Sequence, residues 1–205
     1  KEILIKNNTY NDTYVDGNYV VTSLNSGNVL ANVTFKNDTN CSMNVSVDDI
    51  IYGEDVIVDV TLPSDATGNV TLFINNLNIT KSVVDSKVSF NISDLGAGTY
   101  TFILKYSGDD KYPSKQYTGS FNVEKYTSTT TVTASDVSYG SDVTVNVNLD
   151  VVNGTGDIIY YLNGNEYATK DISNLTLVIN NLSAGTYYLT VEYSGDLNNT
   201  KSSAK

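Results

Sequence analysis

The sequence predicts an all-β protein made of tandem antiparallel β-sandwiches. Two observations carry this. Apolar and polar residues alternate with period two over many short stretches, while no stretch keeps a helical period. The pattern also returns 87 residues later: Tyr52-Gly53 recurs as Tyr139-Gly140, Leu95-Gly96-Ala97-Gly98-Thr99-Tyr100 as Leu182-Ser183-Ala184-Gly185-Thr186-Tyr187, and Tyr106-Ser107-Gly108-Asp109 as Tyr193-Ser194-Gly195-Asp196. One register through three landmarks, with a period this long, marks a repeated domain rather than a solenoid turn.

The strands follow from the alternation. Val56, Val58, Val60 and Leu62 share one face against Ile57, Asp59 and Thr61, and the second copy repeats this with Val143, Val145, Val147 and Leu149. Val70, Leu72 and Ile74 are matched by Ile158, Tyr160 and Leu162 after a one-residue shift. Val88, Phe90 and Ile92 are matched by Leu175, Leu177 and Ile179, and Tyr100, Phe102, Leu104 and Tyr106 by Tyr187, Leu189, Val191 and Tyr193. Adding an opening strand near Met43 to Val47, a short middle strand and a closing strand at 116–123 gives about seven short strands per copy, the count of an immunoglobulin-like sandwich. In strand letters, A lies near 43–47, B at 55–62, C at 69–75, E at 87–93, F at 98–106 and G at 116–123. Tyr100 and Tyr187 stand at the start of strand F, where a tyrosine corner would bond its hydroxyl back to the preceding turn; the alternative is that the rings only fill core. Gly98 and Gly185 are expected to give the backbone freedom there.

Composition narrows the function. The chain has 205 residues, no His and no Trp, and every one of its twelve basic residues is Lys. Without His, the commonest general base and metal ligand is missing. With Cys41 as the single cysteine, an internal disulfide and a Cys-rich zinc site are both excluded, and no Ser-His-Asp or Cys-His system can be assembled. Paired carboxylates are the one catalytic device left, and no acidic residue sits in a recognisable pocket-forming motif, so an enzyme is not expected. A net charge of −11 disfavours nucleic acid as a partner and keeps a strand-rich chain soluble. No apolar run is long enough to cross a membrane, so no membrane insertion is expected of this segment. The chain opens on Lys1-Glu2-Ile3-Leu4-Ile5 without a signal peptide and is read as a piece of a longer protein. Asn-x-Ser/Thr triplets are dense, beginning at Asn7, Asn11, Asn32, Asn37, Asn40, Asn44, Asn69, Asn78, Asn91, Asn153, Asn174, Asn181 and Asn198. That density favours exposed, secreted loops.

The order Tyr-Gly-x-x-Val-x-Val, then Leu-x-Ala-Gly-Thr-Tyr, then Tyr-Ser-Gly-Asp resembles the bacterial and archaeal immunoglobulin-like repeats found in tandem in adhesin-like surface proteins. The resemblance covers Asn44 to Val123 fully and Val132 to Lys205 nearly so. It implies an extracellular, cell-surface stalk that extends or presents an adhesive region and so mediates cell attachment. The partners it implies are neighbouring repeats of the same protein and a surface glycan or protein of another cell. The family has no shared catalytic residues to carry over.

Three regions are therefore expected: an N-terminal β segment over 1–41, repeat 1 over 42–126 and repeat 2 over 127–205. Gly17-Asn18-Tyr19 followed by Ser26-Gly27 matches Gly98-Thr99-Tyr100 followed by Ser107-Gly108, and Phe35 falls near the place of Phe121. Residues 1–41 are thus either the last strands of a degenerate preceding repeat or a separate hairpin. The Thr-rich stretch Glu124 to Thr131 reads as a stiff, extended linker. Strand G of repeat 2 would begin near Ser203, so it is expected to be missing. Strand F, Gly185 to Tyr193, would then keep a bare edge, and strand-swapped self-association is one way to cover it; a frayed end is the other.

Candidate sites lie in loops. Asp48, Asp49, Glu54, Asp55 and Asp94 fall on the A–B and E–F turns of repeat 1, and Asp150, Asp157 and Asp196 on the B–C and F–G loops of repeat 2. Facing each other, they could hold a stiffening Ca²⁺, which takes six to eight oxygens, although no calcium-loop spacing is present; solvated acidic loops are the alternative. No other cofactor is expected. Tyr161 and Tyr188, outward on strands, with Tyr112 and Tyr126 on loops, are candidates to stack on sugars in a carbohydrate-binding module. Lys105 on strand F is a candidate for a Lys–Asn cross-link, but its match in repeat 2 is Glu192, so a cross-link common to both copies is not expected.

Overall fold

The computed structural model describes residues 40–205, together with the backbone of three short strands before them. These strands, β1 (Tyr14–Asp16), β2 (Tyr19–Val21) and β3 (Val33–Phe35), form an antiparallel sheet in the order β1-β2-β3. The match of 1–41 to an earlier repeat rests on Gly17, Asn18, Ser26 and Gly27, which lie outside the described residues, as do the triplets beginning at Asn7, Asn11, Asn32 and Asn37.

The first copy forms two sheets. One holds β4 (Asn44–Ser46), β6 (Val56–Thr61) and β9 (Lys87–Ile92), in that order. The other runs β5 (Ile50–Ile51), β11 (Lys115–Glu124), β10 (Gly98–Tyr106), β7 (Asn69–Ile74) and β8 (Leu77–Ser82). The opening strand therefore differs from the single run expected at 43–47. It switches sheets: β4 pairs antiparallel with β6, and β5 pairs parallel with the end of β11. Asp48 and Asp49 carry the chain across. The alternation is obeyed closely, with Val56, Val58, Val60, Val70, Leu72, Ile74, Phe90, Phe102, Leu104 and Tyr106 all buried.

The second copy repeats the plan. β12 (Thr129–Ala134), β13 (Val143–Asp150) and β16 (Thr176–Ile179) make one sheet, and β15 (Asn165–Asp171), β14 (Asp157–Leu162), β17 (Leu189–Tyr193) and β18 (Ser202–Ala204) the other. Val145, Val147, Leu177 and Ile179 from the first meet Ile158, Tyr160, Val191 and Tyr193 from the second in one buried cluster. The fold is all-β and immunoglobulin-like, with no helix among the described residues.

Two expectations are corrected here. Thr129, Thr130 and Thr131 are not linker: they pair with Asp150, Leu149 and Asn148 as the opening strand of the second sandwich. Their β-branched side chains favour an extended backbone, and an extended backbone beside an open edge is a strand. The closing strand is also not missing, because β18 pairs with β17 from Val191↔Ala204 to Tyr193↔Ser202. β17 itself begins at Leu189 rather than at Gly185, and β18 covers its edge from Val191 to Tyr193.

By its contacts the chain divides into two compact units. One comprises Lys1–Ser46, Asp59–Phe90 and Thr101–Gly119, and the other Val47–Val58, Asn91–Tyr100 and Ser120–Lys205. The second unit holds the turn-bearing end of the first copy together with the whole second copy, and the residues that join the copies all lie inside it.

Candidate functional site

Each Tyr-Ser-Gly-Asp motif builds the same F–G turn around its aspartate. In the first copy, Asp109 Oδ2 accepts from Thr67 N at 2.7 Å and from the Tyr106 hydroxyl at 2.8 Å, while Oδ1 accepts from Lys111 N and Tyr112 N, both at 2.8 Å. In the second, Asp196 Oδ2 accepts from Thr155 N at 2.8 Å and the Tyr193 hydroxyl at 3.1 Å, and Oδ1 from Asn198 N at 2.7 Å and Asn199 N at 2.6 Å. The serine is used identically: Ser107 Oγ accepts from Asn69 N at 3.0 Å, and Ser194 Oγ from Asp157 N at 2.9 Å. The glycine is obligatory. Gly108 and Gly195 have φ of 77° and 72°, and a Cβ would lie 2.7 Å from Ser114 N or 2.9 Å from Lys201 N. The Thr67 amide and the other donors hold the Asp109 carboxyl well below the usual carboxylate range. For Asp196, burial pushes the other way, but the Thr155, Asn198 and Asn199 donors outweigh it and the carboxyl is again strongly acidic.

The tips of these turns differ. In the first copy, Lys111 Nζ and the Tyr112 hydroxyl both bond to Asp65 of the same copy, at 2.7 and 2.6 Å. The Asp65 carboxylate raises the Tyr112 hydroxyl to about 12. In the second copy, the tip reaches the first. Asn198 Oδ1 accepts from Ala97 N at 2.8 Å. Tyr126 N donates to Asn198 O and Thr200 N to Tyr126 O, both at 2.9 Å, a short ladder tying the connecting segment to the F–G turn. Lys125 Nζ donates to Asp196 O at 2.6 Å. Fully buried Asn199 donates to Val152 O at 2.9 Å and accepts from Val152 N at 3.0 Å, fixing the B–C loop. That loop meets the A–B turn, where a Cβ on Gly53 would lie 3.2 Å from the Val152 side chain.

Both tyrosine corners are present. Tyr100 donates to Gly96 O at 2.9 Å and Tyr187 to Ser183 O at 3.0 Å. The first sits on the turn that receives Asn198. Gly98 has a positive φ of 155°, whereas Gly185 is not among the positive-φ glycines, so the extra backbone freedom is used in one copy only.

The candidate carboxylates do not converge. A cavity of about 230 Å³ is lined by Tyr52, Gly53, Glu54, Asp55, Asp94, Leu95, Val152 and Asn153, but among the described residues no group of three or more acidic side chains could hold a metal. Most are engaged within the chain. Asp49 accepts from Asn122 N at 2.6 Å, Glu54 from Ile51 N, Asp55 from Asn91 Nδ2, Asp94 from the Ser93 hydroxyl and Asp150 from the Tyr126 hydroxyl. Asp196 is the cage residue above, and Asp48 and Asp157 stand apart from these side-chain bonds. The sugar candidates are equally dispersed in role: Tyr112 and Tyr126 have their hydroxyls on carboxylates, Tyr161 is half-buried on β14, and Tyr188 is 77% exposed. Lys105 places its ammonium 5.1 Å from the Phe73 ring centre rather than against an Asn. The sequence reading missed Asn198 and Asn199. Their signal was present: the positions matching Lys111 and Tyr112 become consecutive amides two and three residues after the cage aspartate.

No family model matches the chain, and no curated protein matches it. Among solved structures it is similar to the fibronectin(III)-like modules of Clostridium thermocellum CbhA, at 11% identity over 80% of this chain and 92% of that one, with a TM-score of 0.33. It is similar to part of a 1.5-MDa bacterial ice-binding adhesin, at 16% identity over 82% of this chain and 63% of that one, with a TM-score of 0.35. A biofilm associated protein domain gives 19% identity over 79% of this chain and 28% of that one, with a TM-score of 0.27. Likenesses this loose carry no functional argument.

Proposed function

We propose that this chain is a non-catalytic stalk segment of a cell-surface, adhesin-like protein, its repeats extending a binding region away from the cell. The observation that carries the reading is the interlock inside the second unit. The Asn198-Asn199 tip of one sandwich is bonded to the E–F turn of the other, and the connecting segment is laddered to both Asn198 and Thr200. A turn whose polar groups are consumed in coupling two copies is suited to carrying load and has little left for chemistry. The acidic surface and the dense Asn-x-Ser/Thr triplets agree with an extracellular setting.

The test is immunolabelling of intact producing cells with antibody to this chain, paired with a glycan array. Labelling of intact cells and a silent array support the stalk. An array hit that Tyr188→Ala abolishes would replace it with the carbohydrate-binding reading. The coupling has its own readout: the native chain should melt with residues 42–205 in one transition, and the Asn198→Ala, Asn199→Ala double variant should split it into two by calorimetry.

A further inference from the structure

We propose that Asn153 carries an N-linked sugar, and that its first, neutral ring sits in the cavity of about 230 Å³ that Asn153 lines together with Tyr52, Glu54, Asp55 and Asp94. The inference rests on the surface reading, because this modification belongs to exported chains.

The two copies diverge at this place. Thr155 matches Thr67: each donates its amide and its hydroxyl to its cage aspartate, Thr67 to Asp109 and Thr155 to Asp196. That register makes Asn153 the counterpart of Asp65. Asp65 is held by Lys111 and Tyr112, but their counterparts Asn198 and Asn199 turn to Ala97 and Val152 instead. Asn153 is left exposed, and its side chain makes no hydrogen bond among the described residues. It opens the triplet Asn153-Gly154-Thr155. Other triplet asparagines have their amides engaged: Asn198 accepts from Ala97 N, Asn91 donates Nδ2 to Asp55 and Asn174 accepts from Thr176 N. Asn153 is the triplet asparagine that lines this cavity.

The cavity suits one ring. It is smaller than the roughly 300–1,000 Å³ of sites that enclose a whole small ligand. Tyr52 gives it an aromatic wall, and Leu95 and Val152 give apolar ones. Glu54, Asp55 and Asp94 each spend one carboxylate oxygen within the chain, which leaves the other to accept from a sugar hydroxyl. Three carboxylates so placed repel an acidic sugar and favour a neutral one. Tyr52 and Asp94 come from the first copy and Asn153 from the second, all within the second unit, so a seated ring ties the copies together. The donor is a lipid-linked sugar diphosphate. The bond from the anomeric carbon to the diphosphate oxygen breaks, a bond from that carbon to Nδ2 forms, Nδ2 gives up one proton and the lipid diphosphate leaves. Thr155 is bonded to Asp196 in the folded chain, so the transfer precedes closure of the cage.

The experiment is peptide mass spectrometry on the protein recovered from the surface of producing cells, followed by calorimetry. A sugar mass on the peptide holding Asn153 is expected, and Asn153→Asp should abolish it. Asn153 has a φ of 45°, which aspartate also tolerates, so this variant keeps the turn. The variant should melt about 2–4 °C below the glycosylated protein. The same substitution in chain made without the sugar donor should shift nothing, which separates loss of the sugar from loss of the asparagine. Tyr52→Ala should leave Asn153 occupied and remove the gain in melting temperature. A bare Asn153 on surface-displayed protein would overturn the inference, and an occupied Asn153 whose sugar does not affect melting would overturn the seating in the cavity. Protein held inside the cells would instead sink the surface reading, and this inference with it.

Discussion

The two F–G turns share one cage and differ in what their tips touch. In the first copy the tip folds back on its own B–C loop through Lys111 and Tyr112 on Asp65. In the second, two amides replace those residues: Asn199 also holds its own B–C loop, and Asn198 reaches the neighbouring copy. The lesson is that the recurring motif is scaffold and the variable residues just after it choose the partner. An amide suits a joint because it donates and accepts at once without carrying a charge that must be desolvated. The Lys111–Asp65 pair, with both side chains about half exposed, brings little by comparison.

The comparison can be broken most strongly at the cage. Asp196→Ala should cost about 3 kcal/mol, because several donors, the buried Tyr193 and Asn199 among them, lose a charged acceptor together. Asp109→Ala should cost a similar amount but leave the coupling of the copies intact, which denaturant unfolding followed by calorimetry will separate. The same carboxylates set the acid response. Both are held below their ordinary range when folded, so their stabilisation is complete above about pH 4 and is lost as pH falls further. The melting temperature should drop below that pH, and the Asp109→Asn, Asp196→Asn double variant should flatten the drop.

A middle-sized effect is expected at the corners. Tyr100→Phe and Tyr187→Phe should each cost about 1 kcal/mol, the worth of one hydrogen bond, and Tyr100→Phe alone should also loosen the turn that receives Asn198. This is read from amide exchange at Ala97. The smallest effects are at two sites where the copies diverge. Tyr160 occupies the place of Leu72, and its hydroxyl is buried without a partner. Tyr160→Phe should therefore be neutral or stabilise by up to about 1 kcal/mol in urea unfolding. Lys111→Ala should leave the melting curve unchanged within error, and added salt should not alter that result.

Much of the fold was legible because burial on one face of a strand imposes period two, and Val56, Val58 and Val60 or Leu189, Val191 and Tyr193 display it openly, whereas Tyr187, expected on the same strand, lies before its start. The sheet switch at Asp48-Asp49 was not legible, since a two-residue strand such as Ile50-Ile51 has no period to read. The Thr-rich segment misled for a related reason: β-branched residues signal extension, and extension alone does not say whether an edge lies alongside. Asp150 and Asp157, expected on a loop, instead end β13 and begin β14, and only the coordinates show that most of the carboxylates are engaged by neighbouring amides and hydroxyls instead of by one another.

The sequence by itself determined the all-β class, the 87-residue repeat, the faces of the strands and the lack of catalytic imidazole or paired thiols, since these depend on local periodicity and composition. Tertiary structure decided the rest: that Asn198 reaches Ala97, that Tyr52, Asp94 and Asn153 line one cavity, and that β18 closes part of the last edge. Those facts are distances between residues remote along the chain, and a hydrogen bond's partner is fixed only once both strands have been brought within about 3 Å of each other.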